Sequence, residues 1–190
     1  MSPRQRVVVT GGIGSGKTSV IDALSGLGWS IIKTDVVGHE VLMDPAAVAA
    51  LAALWPTVVV QGKVNRSDLA GIVFRDVRHL AALEDITHPL IVDRVDRWIE
   101  GSRGFVAIEV PVAKVGRRWG PLVVVHAPLV LRRQRALDRG MTVADVDSRM
   151  AIQPSDFDWL ATAGYVIDNR GTINDLEATV RRFDAWARSA

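Results

Sequence analysis

"RVVVTGGIGSGKTSVIDALSGLG", residues 6–28, decides the fold. It opens on a β-branched run from Arg6 to Thr10, breaks into glycines, and continues with apolar residues at helical spacing that stop at Gly28. That pattern predicts a buried strand, a tight turn and a helix with its stop signal. Inside it, "GGIGSGKT", residues 11–18, fits G-x-x-x-x-G-K-S/T. The glycines let the backbone curl so that successive N–H groups point inward at the positive end of a helix, and such a nest takes phosphate. The expected contacts to a nucleoside triphosphate are Gly12, Gly14, Ser15, Gly16, Lys17, Thr18 and Ser19. Lys17 is expected to reach the β- and γ-phosphates, and the Thr18 hydroxyl to ligate Mg²⁺.

Further along, "WSII", "GFVAIEVP", "PLVVVHAP" and "AGYVIDN" supply four more strand-like runs, with helical patterns between them. Five short apolar strands alternating with helices predict an α/β fold of three layers, a mostly parallel sheet covered on both faces. Ligands of such sheets bind beyond the carboxyl ends of the strands. Residues 46 to 101 read as mainly helical and fall between the second and third strands, so they are expected to be an insertion over the crevice. Within it Ser67 is a plausible N-cap, and His88 before Pro89 marks a helix boundary. The expected organisation is a single domain over 1–190. Its core is about 1–45, 102–127 and 151–190, with the helical insertion at about 46–101 and a lid at about 128–150.

Composition narrows the function classes. A chain of 190 residues with 48% hydrophobic content holds one core, and 23 basic against 21 acidic residues leave a net charge of +2, no nucleic-acid signature. There is no cysteine, which excludes disulfides and thiolate metal sites and fits a cytoplasmic protein. The opening "MSPRQRVVVTGG" carries far fewer apolar residues than the roughly 20 of a spanning helix, so no membrane association is expected. A switch GTPase needs a D-x-x-G followed well downstream by a guanine reader. "NRSD" and "DLAG" overlap here, in the wrong order. What remains is a small kinase.

Phosphoryl transfer needs a group to orient and deprotonate the attacking hydroxyl. Asp35, expected to end the second strand on the rim of the cradle, is the candidate base; an aspartate at such a junction also caps helices, and the residues alone leave both roles open. Glu109, ending "FVAIE", is a second rim carboxylate, either a holder of the Mg²⁺ shell or a strand-end surface acid. Arg135 and Arg139 share one helix face at i, i+4, and with Arg132, Arg133 and Arg149 nearby this segment could close over the phosphates. The six tryptophans suit core packing, with Trp98 or Trp159 also able to line a cleft.

Taken together, these blocks resemble the dephospho-coenzyme A kinase family over nearly the whole chain. "VTGGIGSGKTSV" is similar to its P-loop, "TDVVGHEV" to the segment after its second strand, and "VNRSDLAGIVFRDVRHLAALEDITHPLI", residues 64–91, to its helical substrate domain. "HAPLVLRRQRALDRGMT" resembles the lid, "RMAIQ" follows as in the family, and "YVIDNRGTINDLEATV" is similar to the loop beside adenine. The resemblance implies a P-loop kinase fold with a lid, and ATP- and Mg²⁺-dependent phosphorylation of the ribose 3′-hydroxyl of dephospho-coenzyme A. It implies Asp35 as base, Lys17 and Arg139 as further catalytic residues, and Arg135, Asn169 and Gly171 on ATP. It places Asp35, Arg66, Phe74 and His88 on the acceptor, and Thr18 and Glu109 on the metal.

The chain also departs from the family. Lys33 stands where D-A-D has its first acid, and the family's D-V-P-L-L-x-E becomes Glu109 through Val115, without its terminal glutamate. His126 replaces an aspartate. These changes surround the acceptor and lid, and leave open a related P-loop kinase with another acceptor or a nucleotide-binding paralogue without transfer activity.

Overall fold

The computed structural model describes residues 5–111 and 116–189. The departing segment 112–115 lies outside the described residues. The chain forms two compact units. One runs up to Lys33 and resumes at Ser102; the other is Thr34–Gly101. The strands in chain order are β1 Arg6–Thr10, β2 Ser30–Lys33, β3 Val59–Val60, β4 Lys63–Val64, β5 Val106–Glu109, β6 Leu122–His126 and β7 Tyr165–Asp168.

The first unit is built on the expected five-stranded parallel sheet, in the order β2-β5-β1-β6-β7. The glycine-loop strand β1 is therefore central. Val7, Val8 and Val9 are all fully buried, because helices cover both faces and a central parallel strand has no wet side. On one face Val7 and Val9 pack with Val20, Ile21 and Leu24 of α1 (Lys17–Gly26) and with Leu176, Val180 and Phe183 of the C-terminal helix Ile173–Arg188. Each such side chain contributes about 1.5–3 kcal/mol on burial.

The end of α1 sets the next strand. Gly28 N–H donates to the Ser25 carbonyl at 3.0 Å and Trp29 N–H to that of Leu24 at 3.1 Å, which closes the last turn. Trp29 then packs at 5.0 Å from the Phe105 ring and 5.7 Å from Phe183, and its Nε1 donates to Asp184 at 2.7 Å. The chain so anchored runs into β2, whose register puts Lys33 opposite Glu109 of β5.

The second unit holds α2 (Thr34–Val41), α3 (Pro45–Leu54), α4 (Arg66–Val73) and α5 (Val77–Gly101). Its own core gathers Leu51, Val58, Leu69 and Val73, with Leu42, Trp55, Leu83 and Ile86 against them. The run "VVVQGKV" folds into the small antiparallel hairpin β3–β4, turning at Gln61 and Gly62 with φ of 51° and 74°.

Three local expectations are corrected here. α4 starts at Arg66 and not after Ser67, because the Asn65 side chain accepts from the Ser67 and Asp68 N–H groups and caps the helix two residues earlier. His88–Pro89 is no boundary: Pro89 lies inside the 25-residue α5. Buried Thr87, Val95 and Ile99 on either side of it hold α5 along its length, and this packing outweighs the missing N–H of proline. Asp35 does not end β2, which stops at Lys33; it sits in the first turn of α2, inside the helix and not at its cap. Among the described residues no single helix is long and apolar enough to cross a membrane.

Candidate active site

The nest forms where β1 ends and α1 begins. The N-cap of α1 is Gly16, at φ 95° and ψ 24°, with no side-chain cap on the first turn. A left-handed N-cap without a capping side chain directs the N–H groups of that turn toward the place an anion would take. A side chain at Gly16 is doubly excluded, by φ and because a Cβ would collide with the Asn169 amide. Lys17 Nζ lies across the mouth of the loop, donating to the Gly11 carbonyl at 2.7 Å and the Gly12 carbonyl at 3.2 Å. Thr18 is exposed in the first turn and Ser19 is half-buried beside it. Ser15 is fully buried with its hydroxyl turned inward, so a nucleotide meets only its main chain.

Three side chains from later in the chain hold this loop from behind. Asn169, only 5% exposed at the end of β7, donates from Nδ2 to the Ser15 carbonyl at 2.7 Å. Gln153 Oε1 accepts from Ile13 N–H at 2.9 Å. Arg132, 4% exposed, donates from Nε to the Ala127 carbonyl at 3.0 Å and from Nη2 to Asp156 at 2.6 Å, while its Nη1 sits where a Cβ of Gly12 would be. The Arg132 main-chain carbonyl packs in the same way on Gly14. His126 Nε2 lies 3.6 Å from the other oxygen of Asp156. The His126 departure thus has a local partner: beside Asp156, an imidazole at the end of β6 meets a carboxylate without the repulsion an aspartate would bring.

In front of the loop is a cavity of about 190 Å³, lined by Gly16, Ser19, Arg135, Arg139, Asn169, Gly171, Thr172, Ile173 and Leu176. Arg135 and Arg139 reach it from one face of the helix Leu129–Asp138 and its C-cap. Arg135 Nη1 also donates to the Asn169 carbonyl at 2.9 Å. The remaining arginines of this segment behave otherwise than a row of free lid cations. Arg132 is buried behind the loop, and Arg133 pairs with Asp147 at 3.0 Å, which ties the helix Leu129–Asp138 to the helix Val143–Ala151. That pair lowers the Asp147 carboxyl below its usual range, chiefly through the hydrogen bond from Arg133. Arg149 is exposed, and Trp159 is buried in the core instead of lining a cleft.

The sequence reading did not single out Gln153, Asp156, Thr172, Ile173 or Leu176. A signal was present for the last three. Thr172 and Asp175 form a reciprocal capping box that starts the C-terminal helix, three residues after Asn169. No local pattern marks Gln153 or Asp156, because their partners are 140 and 24 residues away in the chain.

At the strand ends, Lys33 Nζ lies 3.9 Å from Glu109 Oε2 across the β2–β5 register. The Lys33 departure is therefore matched with the rim acid of the neighbouring strand. Among the described residues no group of three His, Cys, Asp or Glu side chains could form a metal cage. Of the two residues named from the sequence for a metal, Thr18 is exposed in the first turn of α1 and Glu109 ends β5 beside Lys33; both offer an oxygen, the donor type Mg²⁺ takes.

The acceptor residues named from the sequence all lie in the second unit. Asp35 is exposed, and its carboxylate has no partner among the described residues. Arg66 is the first residue of α4, with Nη2 2.8 Å from His39 Nε2. Phe74 follows that helix as its C-cap and is 78% exposed, and His88 lies on α5.

The chain is similar to known proteins over nearly its whole length. The family model described as dephospho-CoA kinase matches residues 6–175. A dephospho-CoA kinase of Corynebacterium glutamicum is 36% identical over 187 residues, covering 93% of this chain and 96% of its own. One from Deinococcus radiodurans is 34% identical over 181 residues, covering 91% and 87%. A crystal structure from Thermus thermophilus superposes with a TM-score of 0.84 at 28% identity, covering 95% of this chain and 96% of that one. With a family model spanning the nest, the helical unit and the loop after β7, and relatives matched almost end to end, the chain belongs to the dephospho-CoA kinase family.

Proposed function

We propose that the chain transfers the γ-phosphoryl group of ATP to the ribose 3′-hydroxyl of dephospho-coenzyme A, giving coenzyme A and ADP, with Asp35 as general base and the 11–18 loop as the phosphate cradle. The observation that carries the reading is the junction of that loop with the cavity lined by Arg135, Arg139, Asn169 and Gly171. A phosphate nest opening directly onto a small cavity suits a nucleotide with its phosphates in the nest and its adenosine in the cavity.

The roles follow from the chemistry. The first-turn N–H groups of α1 and the Lys17 ammonium hold the β- and γ-phosphates, and Lys17 exchanges its loop carbonyls for phosphate oxygens. Arg139 and Arg135, at the cavity edge, neutralise charge that spreads over the γ-phosphoryl oxygens as it leaves the β-phosphate. Asp35 takes the proton of the attacking hydroxyl while the new O–P bond forms and the bond to ADP breaks. The supporting observation is a carboxylate that is exposed and unpartnered among the described residues. Thr18 and Glu109 would hold Mg²⁺, which would supply positive charge to offset that of the phosphates. Arg66, with its planar fork, is the residue we assign to a phosphate of the acceptor, and Phe74 and His88 to its remaining surface. The absence of cysteine and the dependence on ATP suit a cytoplasmic setting.

ADP release by purified protein with ATP and Mg²⁺, across a panel of dephospho-coenzyme A, nucleoside monophosphates and shikimate, tests this reading. Stimulation by dephospho-coenzyme A well above the other acceptors is expected. Protein that binds ATP yet shows no such stimulation would overturn it.

A further inference from the structure

We propose that Arg132 is a positioning residue for the phosphate loop, a buried cation that sets the curvature of Gly12–Gly14 from behind and so controls the grip on the polyphosphate. The proposal deepens the kinase reading and rests on it, since the loop must be the phosphate cradle for its curvature to matter. Four observations converge. Arg132 is 4% exposed, although it sits on a helix whose other arginines reach solvent or the cavity. Its guanidinium is fixed at two corners, by the Ala127 carbonyl at 3.0 Å and by Asp156 at 2.6 Å. Its third corner occupies the place a Gly12 side chain would need, and its own carbonyl occupies that of Gly14. Gln153, three residues before Asp156, takes the Ile13 N–H between those two glycines at 2.9 Å.

Burying a guanidinium is costly, and a pair of this kind is weak support for stability alone. Its placement on two loop glycines in succession, and not on the hydrophobic core, gives the charge a local use. A cation behind the nest adds to the positive potential of the α1 N-terminus, and its rigid fork fixes the loop before phosphate arrives. Asp156 holds the fork in place, and His126, 3.6 Å from Asp156, shares that carboxylate. Arg132 is not among the residues that line the cavity, so its effect should fall on phosphate more than on adenosine.

The test is calorimetric titration of wild type, Arg132→Gln and Asp156→Asn with three probes: ADP, inorganic pyrophosphate and adenosine. For Arg132→Gln the affinities for ADP and pyrophosphate are expected to fall by about tenfold, the size of one charge-assisted contact. That for adenosine should stay within about twofold. Asp156→Asn keeps the cation but frees its fork, and should move the same two probes in the same direction by less. Circular dichroism checks the fold; if Arg132→Gln does not fold, Asp156→Asn decides alone by the same comparison. Equal losses for all three probes would reduce Arg132 to a structural residue, and unchanged pyrophosphate affinity would remove the proposed role; either overturns the inference. Wild-type protein that binds neither ADP nor pyrophosphate would overturn the kinase reading as well, whereas normal wild-type binding with unaffected variants sinks the inference alone.

Discussion

Asn169→Ala isolates the link between the loop after β7 and the glycine nest. The Asn169 amide is buried and donates to the Ser15 carbonyl at 2.7 Å, within the loop itself. Truncation leaves that carbonyl without its donor, at a cost of about 1–3 kcal/mol for an unsatisfied buried acceptor. Each kcal/mol lowers the melting temperature of a chain of this size by about 2–4 °C, so a fall of roughly 2–12 °C is expected in a thermal melt. The main-chain carbonyl of Asn169 still accepts from Arg135 after the change, so the cavity keeps its arginine. The functional cost should therefore come from the Ser15–Gly16 peptide, which is no longer pinned and carries the left-handed N-cap of α1, together with the amide lost from the cavity wall. ADP affinity should fall by on the order of tenfold, about 1.4 kcal/mol. Melting unchanged within about 1 °C, with wild-type ADP affinity, would refute the reasoning, because a buried hydrogen bond on the nest would then contribute nothing measurable.

Two further outcomes follow from other residues. Asp35→Asn removes proton acceptance at an exposed site and little else, so kcat should fall by roughly a hundred- to ten-thousand-fold with ATP affinity retained; steady-state rates and a nucleotide titration check this, and unchanged turnover would return Asp35 to a helix residue of no catalytic role. Asp44 caps α3 and accepts from Arg94 of α5 at 2.8 Å, and this hydrogen bond, followed by the one from Ala46 N–H, holds its carboxyl below the ordinary range. A carboxyl lowered by folding contributes stability that is fully present above its unfolded value, near pH 4, and is lost as pH falls through the folded value. Urea unfolding between pH 7 and pH 2 should show a shallower acid limb for Asp44→Asn than for wild type, and parallel limbs would contradict it.

The five strands, α1 and the nest could be read from local pattern because each follows from a short-range cause. β-branched runs bury on both sides, apolar spacing makes a helix face, and glycines release the turn. What escaped depended on partners far along the chain or on a competing local bond. Pro89 reads as a break until the packing of Thr87, Val95 and Ile99 is known, since burial along a long helix outweighs one lost hydrogen bond. Ser67 reads as a cap until Asn65 takes both N–H groups first. Lys33 and His126 read as departures from the family when taken singly. In three dimensions Lys33 is opposite Glu109, and His126 is beside Asp156, which also holds Arg132. A changed charge at a strand end is then a property of a pair, and its effect on the site cannot be inferred from one member.

The same distinction applies inside the motif. Gly16 is glycine for a reason visible in the chain itself, a left-handed N-cap that opens α1. Gly12 shows no left-handed φ, and its missing side chain makes room for Arg132, 120 positions later. Gly12 fills a free position of G-x-x-x-x-G-K-S/T, so the pattern marks the first constraint and not the second. Replacing Gly16 strains the backbone whatever surrounds it, whereas replacing Gly12 fails because Arg132, with Gln153 beside it, occupies the space. The motif therefore reports a nest, and the residue behind it decides how firmly that nest is held.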